Sequence, residues 1–456
     1  MATTAAAPSI EDIRKESEKR GIQFYFAQFV DMYARPSAKL VPAQYLDDLV
    51  SEGAGFAGFA AGELGQVPSD PDIAAIPDLG SFTPVPWEPT LARFACDVYV
   101  EGEEWPYDPR TILRRQLDRA RTAGYEFMMG LELEYFLVRQ SEDGRIEVAD
   151  ALDTLEKPCY DMSGLTRNYE FLSRVSRYVN DDLKWGNYAN DHEDANGQFE
   201  QNFTYTNALA SCDRAIFFRY MVHTLAEQYG RIATFMPKPF SHLTGNGCHF
   251  HMSLWDGDTN LFLDENDPRG MGLSETAYHF IGGLKKHAKA YIAVTAPTIN
   301  SYKRLKVGAP TSGATWSPVY ITYGWNNRTQ MLRIPGSGRV EDRTIDGSCN
   351  PYLAATVVLA AGLDGIENRL DPGDPNPGNM YEVPESELQR RGIELLPANL
   401  LDATRELERD EVMREALGHA KDEDYVDYFI RVKRDEWQRY HEQVTPWEIN
   451  EYLTRF

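Results

Sequence analysis

An α+β protein of two unequal parts is what this sequence predicts. Three observations lead there. At 456 residues the chain exceeds what a single hydrophobic core usually organises. Capped amphipathic helices and strand-like apolar runs follow one another without a repeat, a low-complexity tract or a long linker. A helix start at Asp108–Pro109, behind the polar stretch "EGEEWPYDPR", separates a short mixed segment from a longer one. The expected division is residues 1–103 and 104–456.

The elements follow in order. "SIEDIRKESEKRG" has a Ser9 cap, charges of both signs and a stop at Gly21, and so predicts a short amphipathic helix. "IQFYFAQFVDMY" predicts a strand, and "PAQYLDDLVSEG" a second short helix ending at Gly53. Gly- and Pro-rich connections run to about residue 90, before a strand at "TLARFACDVYV". Asp108 and Pro109 are cap and first-turn residues for the helix "RTILRRQLDRARTAG". Beyond it, long apolar helices at about 212–229, 275–295 and 351–368 alternate with strand-like runs that hold unusual polar residues.

Composition removes several functions. Hydrophobic residues at 42% and aromatics at 12% allow a substantial core. No run approaches the roughly 20 apolar residues of a membrane span. The opening "MATTAAAPSIEDIRKE" lacks the apolar segment of a secretory signal. A cytoplasmic protein is expected. Five scattered cysteines without a C-x-x-C suit reduced thiols and argue against structural zinc. A net charge of -24 disfavours nucleic acid and anionic membranes as partners.

The chemistry begins at "MMGLELEYFLV", residues 128–138. A strand has a side-chain period of two, so Glu132 and Glu134 share a face while Leu131, Leu133 and Tyr135 take the other. Adjacent carboxylates repel, and burial makes each worse. Either that face is open to water or a cation sits between them. Further ligands are available. Glu193 and Glu200 flank a glycine-containing turn in "NDHEDANGQFEQNFTY". His249 and His251 are an i, i+2 pair in "TGNGCHFHMSLW", and Glu341 stands between Arg339 and Arg343 in "GSGRVEDRTIDG". Singly, each also reads as a surface glutamate, a core histidine or an exposed ion pair. A carboxylate-rich, histidine-poor set suits Mg²⁺ or Mn²⁺ rather than zinc, and such ions commonly bridge nucleotide phosphates.

Arg304, Arg328, Arg333, Arg339 and Arg343 put five guanidiniums into about forty residues of a very acidic chain. Arginine grips carboxylate and phosphate through two parallel hydrogen bonds. Metal-binding glutamates beside many arginines point to phosphoryl transfer onto an acidic substrate. No G-x-x-x-x-G-K-[ST] is present, which excludes a P-loop enzyme.

Taken in order, the motifs resemble the glutamine synthetase superfamily. They are E-L-E (132–134), H-E…G-Q-F-E (192–200), "ATFMPKP" (233–239), "GNGCHFHMSL" (245–254), "NSYKRL" (300–305), "NNR…RIP" (326–335) and "RVEDR" (339–343). The resemblance implies an N-terminal β-grasp domain and a C-terminal catalytic domain whose antiparallel strands form a funnel. It implies a homo-oligomer with active sites between neighbouring subunits, commonly a dodecamer of two hexameric rings. Glu134, Glu193 and Glu200 match the ligands of a first metal, and Glu132, His249 and Glu341 those of a second; two or three Mg²⁺ or Mn²⁺ ions per site are implied. His251 and Ser253 match positions near the nucleotide, and Arg333 and Arg339 its phosphate contacts. Arg304 and Arg343 match the grip on the α-carboxylate of L-glutamate, with Gly245 and Asn246 in the same substrate set, and Arg328 attends the transferred phosphoryl group. The implied reaction has two steps: ATP phosphorylates the γ-carboxylate, and an amine displaces phosphate. With all these positions kept, a non-catalytic relative is disfavoured.

Two departures concern the amine. Ammonia-using members have a glutamate in G-Y-E-A-P, where this chain has "KVGAPTSGATWSPVY" with Trp316 in the glutamate's place. They also have an aspartate in F-D-G-S-S, where the match "GFAAGELG" offers Ala60, with Glu63 as a shifted replacement. Anchoring ammonium takes carboxylates, whereas an alkylammonium prefers an aromatic wall, where cation–π attraction is worth about 0.5–2 kcal/mol. The "SGATWSP" segment is also similar to that of γ-glutamyl-amide ligases in this family. Methylamine is the expected amine; ammonia, ethanolamine and a polyamine are the alternatives. Asp191 and Glu63 are the candidate bases for deprotonating it. Tyr381 stands where some relatives are adenylylated, but only "MYEVP" matches and no modification is expected.

Overall fold

The computed structural model describes residues 8–307, 317–420 and 422–456. The first helix, Ile10–Arg20, begins at a reciprocal capping box between Ser9 and Asp12 and stops at Gly21, whose φ of 71° is left-handed. Strands β1 (Phe24–Val30), β2 (Pro36–Pro42), β3 (Ala54–Phe56), β4 (Ile73–Pro77), β5 (Thr83–Pro84), β6 (Leu91–Val100) and β7 (Glu103–Glu104) form one sheet. Its main order is β2-β1-β6-β4-β3. The β1–β6 pair at its centre is parallel and the other pairs are antiparallel, the β-grasp arrangement. Tyr25, Ala27 and Phe29 alternate into the core from β1, and Ala92 to Val98 of β6 are buried throughout.

Sequence periodicity does not mark β2, which precedes the second helix, nor β3 and β4 in the Gly- and Pro-rich stretch. β2 is an exposed edge with proline at both ends, and β4 is built on small alanines, so neither shows a strong apolar alternation. The expected helix from about 212 instead spans Ala208–Gln228, because Asn207 caps it by accepting from Ala210 N at 3.0 Å.

The two parts are pinned together by a buried charge. Arg110, on the helix Pro109–Thr122, is 2% exposed and donates to Asp78 (2.6 Å), Asp97 (2.7 Å) and both oxygens of Asp213 (3.0 Å each). Asp97 belongs to β6, and Asp213 to the helix Ala208–Gln228.

Among the described residues the second sheet has 11 strands. They are β8 (Glu126–Gln140), β9 (Ile146–Val148), β10 (Asn187–His192), β11 (Gln198–Phe203), β12 (Thr206–Asn207), β13 (Ile232–Thr234), β14 (Cys248–Asp256), β15 (Thr259–Asn260), β16 (Tyr323–Trp325), β17 (Leu332–Ile334) and β18 (Val340–Asp342). The main order β10-β11-β8-β14-β18-β17-β16 is antiparallel except for the parallel β16–β17 pair. The apolar face of β8 packs on aromatic side chains, with Tyr135 fully buried near Phe171, Phe199, Phe218 and Phe235. The helices Glu275–Thr295 and Pro351–Glu367 pack side by side, and the second is apolar nearly all round. Among the described residues, no helix is long and apolar enough to cross a membrane.

Candidate active site

Strand register assembles the polar face. Residues directly opposed in an antiparallel ladder point to the same side. Glu200 of β11 faces Glu134 of β8, and His249 of β14 faces Glu132. His251 faces Glu341 of β18, which in turn faces Arg333 of β17. Asp191 of β10 completes the row opposite Glu200. One continuous polar strip thus crosses six strands, while the opposite face of β8 is core.

This strip is the floor of a cavity of about 870 Å³, with Glu132, Glu134, Glu193, Glu200, His249 and Asp191 in its lining. Arg304, Arg328, Arg333 and Arg343 line it as well. A smaller neighbouring cavity of about 340 Å³ shares Glu132 and includes His251, Ser253 and Arg339.

The expected ligands converge, grouped differently from the two expected sets. Ligand atoms lie within 4.8 Å of one another in three groups: Glu132–Glu200–His249, Asp191–Glu193–Glu200 and Glu132–His251–Glu341. Glu134 sits beside them, accepting from Gly247 N (2.6 Å) and Gln198 Nε2 (3.1 Å), with His249 Nε2 at 3.9 Å. His249 Nδ1 also lies 3.3 Å from Glu132 and 3.8 Å from Glu341.

The electrostatics call for a cation. Burial, reinforced by Glu134, Asp191 and Glu132, pushes the Glu193 carboxyl up to about 8. Burial with Glu132, Glu193 and Glu134 raises Glu200 well above the usual range. Glu132 goes the other way: burial opposes its ionisation, but His251 and His249 outweigh burial and hold it well below that range. His251 Nε2 stands 2.9 Å from Glu132, yet neither ring nitrogen of this buried imidazole has the alignment of a hydrogen bond. Acids that resist ionising together, beside an imidazole without a hydrogen-bond partner, fit divalent cations bound through oxygen and nitrogen.

The other predicted residues have clear placements. Arg304 is buried and donates to the carbonyls of Thr344 (2.9 Å) and Arg343 (3.0 Å). Asn246 is a brace: its side chain donates to Thr234 O and Met236 O and accepts from Gln198 Nε2, all at 3.0 Å. Gly245 has to be glycine, since a Cβ there would stand 2.3 Å from Pro237 O. Ser253 Oγ accepts from Trp255 Nε1 at 2.9 Å. Burial, with Glu132 nearby, raises the Asp191 carboxyl. Glu63 lies in the N-terminal part, accepts from Tyr428 Oη at 3.1 Å, and lines neither cavity of its own chain. Trp316 lies outside the described residues.

Sequence reasoning missed several residues. Gln198, in the motif that holds Glu200, ties Glu134, Gly245 O and Asn246 together. Tyr188, Tyr205 and Trp255 make the small cavity aromatic, with the Tyr205 and Trp255 rings 6.3 Å apart. Cys159, Tyr160, Asp194 and Thr244 line the large one, and no local pattern announces them.

An antiparallel funnel with acids and imidazoles on its floor and arginines in its wall defines a cation-dependent group-transfer enzyme. The family model "Glutamine synthetase, catalytic domain" matches residues 106–452, and the chain belongs to the glutamine synthetase family. It is 48% identical over 439 residues to the glutamate–methylamine ligase of Methyloversatilis universalis, covering 95% of this chain and 97% of that one. It is 42% identical to the glutamine synthetase of Rhizobium meliloti, covering 96% and 98%. The solved structure "GmaS/ADP complex-Conformation 1" aligns with a TM-score of 0.90 at 48% identity, covering 97% of this chain and 99% of that one. "Apo GmaS without ligand" aligns at 0.87 and 45%, covering 97% and 99%.

Proposed function

We propose that the chain is an ATP-dependent ligase joining the γ-carboxylate of L-glutamate to methylamine, giving γ-glutamylmethylamide, ADP and phosphate. The observation behind the choice of amine is the 48% identity, over nearly the whole length, to a relative named for glutamate and methylamine.

In this reading Arg304 and Arg343 hold the α-carboxylate of glutamate, and Gly245 and Asn246 shape the pocket around it. The aromatic cavity of Tyr188, Tyr205 and Trp255 takes the nucleobase, with His251 and Ser253 beside it. Arg333 and Arg339 hold the phosphates, and Arg328 faces the γ-phosphoryl group as its charge shifts during transfer. Glu132, Glu134, Glu193, Glu200, His249 and Glu341 would hold two or three Mg²⁺ or Mn²⁺ ions, which when bound neutralise phosphate charge. The γ-carboxylate oxygen attacks phosphorus, ADP leaves, and γ-glutamyl phosphate forms. Methylamine arrives protonated and cannot attack in that form. Asp191, which lines the cavity and whose carboxyl burial and Glu132 raise above its usual value, is the proposed acceptor. Glu63 of a neighbouring subunit is the second candidate. The neutral amine then adds to the acyl carbon, and phosphate leaves with the nitrogen's second proton.

Trp316 would supply the wall for the methyl group. The assembly is a homo-oligomer with sites between subunits, as two hexameric rings, working in the cytoplasm without nucleic acid or membrane partners. The domain division at residue 104 belongs to the same proposal.

The test is phosphate release with glutamate, ATP, Mg²⁺ and a panel of amines. Methylamine should give the highest kcat/KM, ahead of ammonia, ethanolamine and polyamines, by about 10–200-fold for one methyl-sized group. A higher value for ammonia would make this a glutamine synthetase with an altered sequence at "KVGAPTSGATWSPVY".

A further inference from the structure

We infer that a cavity at Arg219, behind the catalytic sheet, is a binding site for a small carboxylate with an aromatic body. Among the described residues that line it, none belongs to the proposed reaction.

The cavity measures about 490 Å³ and lies between residues 33–36, the helix Ala208–Gln228 and the chain leaving β13. Its Phe235 ring packs 5.6 Å from that of Tyr135, on the face of β8 turned away from the acids. Arg35 and Arg219 line it, and among the described residues no aspartate or glutamate does, in a chain whose net charge is -24. Arg219 Nη1 donates to the carbonyls of Gly347 (2.9 Å) and Cys349 (3.3 Å). Its Nη2 has no hydrogen-bond partner among the described residues. Burial lowers this guanidinium below its ordinary value, and burial together with Arg219 does the same to His223 in the same wall.

A guanidinium held by carbonyl dipoles alone keeps its charge available to an anion. Its planar fork suits carboxylate and phosphate alike. The walls decide between them. Tyr33, Tyr220 and Phe235 present rings, and such surfaces favour an anion that brings an apolar body over bare phosphate. The volume of about 490 Å³ falls within the range of small-molecule sites, about 300–1,000 Å³. Arg219 is half-buried, and a rotation of its terminal bonds brings Nη2, covered by neighbouring atoms, to the ligand.

Titration calorimetry of benzoate, and separately of inorganic phosphate, into the full-length protein tests this. Benzoate should bind the wild type with a Kd of about 1 mM or tighter, a scale open to so small a ligand. Arg219→Gln keeps a donor for the two carbonyls and removes the charge, and it should weaken benzoate about 10-fold or more. Arg328→Gln, in the catalytic cavity, should leave benzoate within about twofold, because separate sites act independently. Circular dichroism checks the fold of Arg219→Gln. Methyl NMR of the wild type reads the site without that variant: the benzoate ring should shift the methyl signal of Met236, which lines the cavity. No saturable binding of benzoate by the wild type at about 10 mM overturns the site. So do an unmoved Met236 signal, undiminished binding in Arg219→Gln, and loss of binding in Arg328→Gln. Phosphate that binds as tightly as benzoate, with the same dependence on Arg219, overturns the choice of an aromatic carboxylate.

Discussion

Two of the buried ionic clusters among the described residues are built on opposite terms. Around Arg110, one guanidinium meets Asp78, Asp97 and Asp213 at 2.6 to 3.0 Å, and Tyr352 Oη adds a further hydrogen bond to Asp213 at 2.6 Å. Four of its five N–H donors reach carboxylates, and its charge is answered several times over. On the catalytic floor, Glu132, Glu134, Glu193 and Glu200 crowd one another, and two of them are raised out of the ordinary carboxylate range. The first cluster is saturated and holds two sheets together. The second keeps an excess of like charge, which the proposed cations would answer. Burial alone therefore says nothing of function; what tells them apart is whether the charge is answered within the fold.

The largest expected effect would break that comparison if it failed. Glu200→Ala removes one crowded carboxylate, so the metal-free protein should melt at the same temperature or higher. Turnover should fall by about 10³-fold or more, the scale of losing preorganised transition-state electrostatics. Added Mn²⁺ should raise the wild-type melting temperature and leave the variant's unchanged. A Glu200→Ala protein that melts earlier in chelator would mean that this cluster, too, is structural.

Arg110→Met is the mirror experiment. It leaves buried carboxylates unpaired, and breaking such a network typically costs about 3–5 kcal/mol. Denaturant unfolding should show that loss, while folded protein at low temperature keeps its KM for glutamate. A raised KM with unchanged stability would move Arg110 out of the structural class.

A smaller effect is expected at the substrate grip. Arg304→Lys loses the two-pronged donor geometry, costing about 1–3 kcal/mol. The KM for glutamate should rise about 10-fold or more, with that for ATP nearly unchanged. The reverse pattern would place Arg304 at the nucleotide.

The two clusters were unequally legible. Glu132 and Glu134 were conspicuous because two acids interrupt an apolar run, a local conflict that any strand period exposes. Their partners were named by motif, but the three groups they form here differ from the two expected sets, because those groups depend on strand register across 117 residues between Glu132 and His249. Hence His251, expected near the nucleotide, also shares a group with Glu341. Arg110 was hidden altogether: its acids come from positions 78, 97 and 213, and nothing in "DPRTIL" marks its burial. Long apolar helices were plain from their patterns, whereas the edge strand β2, with proline at both ends, was not. Polar function was legible where it violated a local rule, and polar structure was not, because a satisfied network violates none.

The smallest predicted effect lies between the two types, in a cluster whose saturation depends on one proton. His287 is buried, with Nδ1 2.6 Å from Asp410 and Nε2 2.9 Å from Asp364. Both nitrogens face carboxylates, so the ring satisfies them only as the doubly protonated imidazolium. Burial works against that charge, but Asp410 and Asp364 outweigh it and raise the histidine above its usual 6.5. Lys286 also reaches Asp364, at 2.8 Å, so that acid stays answered when the ring loses its proton. Asp410 instead caps the helix Glu411–Leu417, accepting from Val412 N and Met413 N. The sign follows from linkage: the folded state binds the proton more tightly, so the contribution is complete below pH 6.5 and fades as pH rises through the raised value. Wild-type stability should therefore drop on the alkaline side by on the order of 1 kcal/mol, the scale of one charge-assisted hydrogen bond. Melting curves of wild type and His287→Gln from pH 6 to pH 9 measure it, and the variant should lack that component of the slope. Parallel curves would place His287 in the permanently answered class with Arg110, its packing rather than its proton holding the helices together.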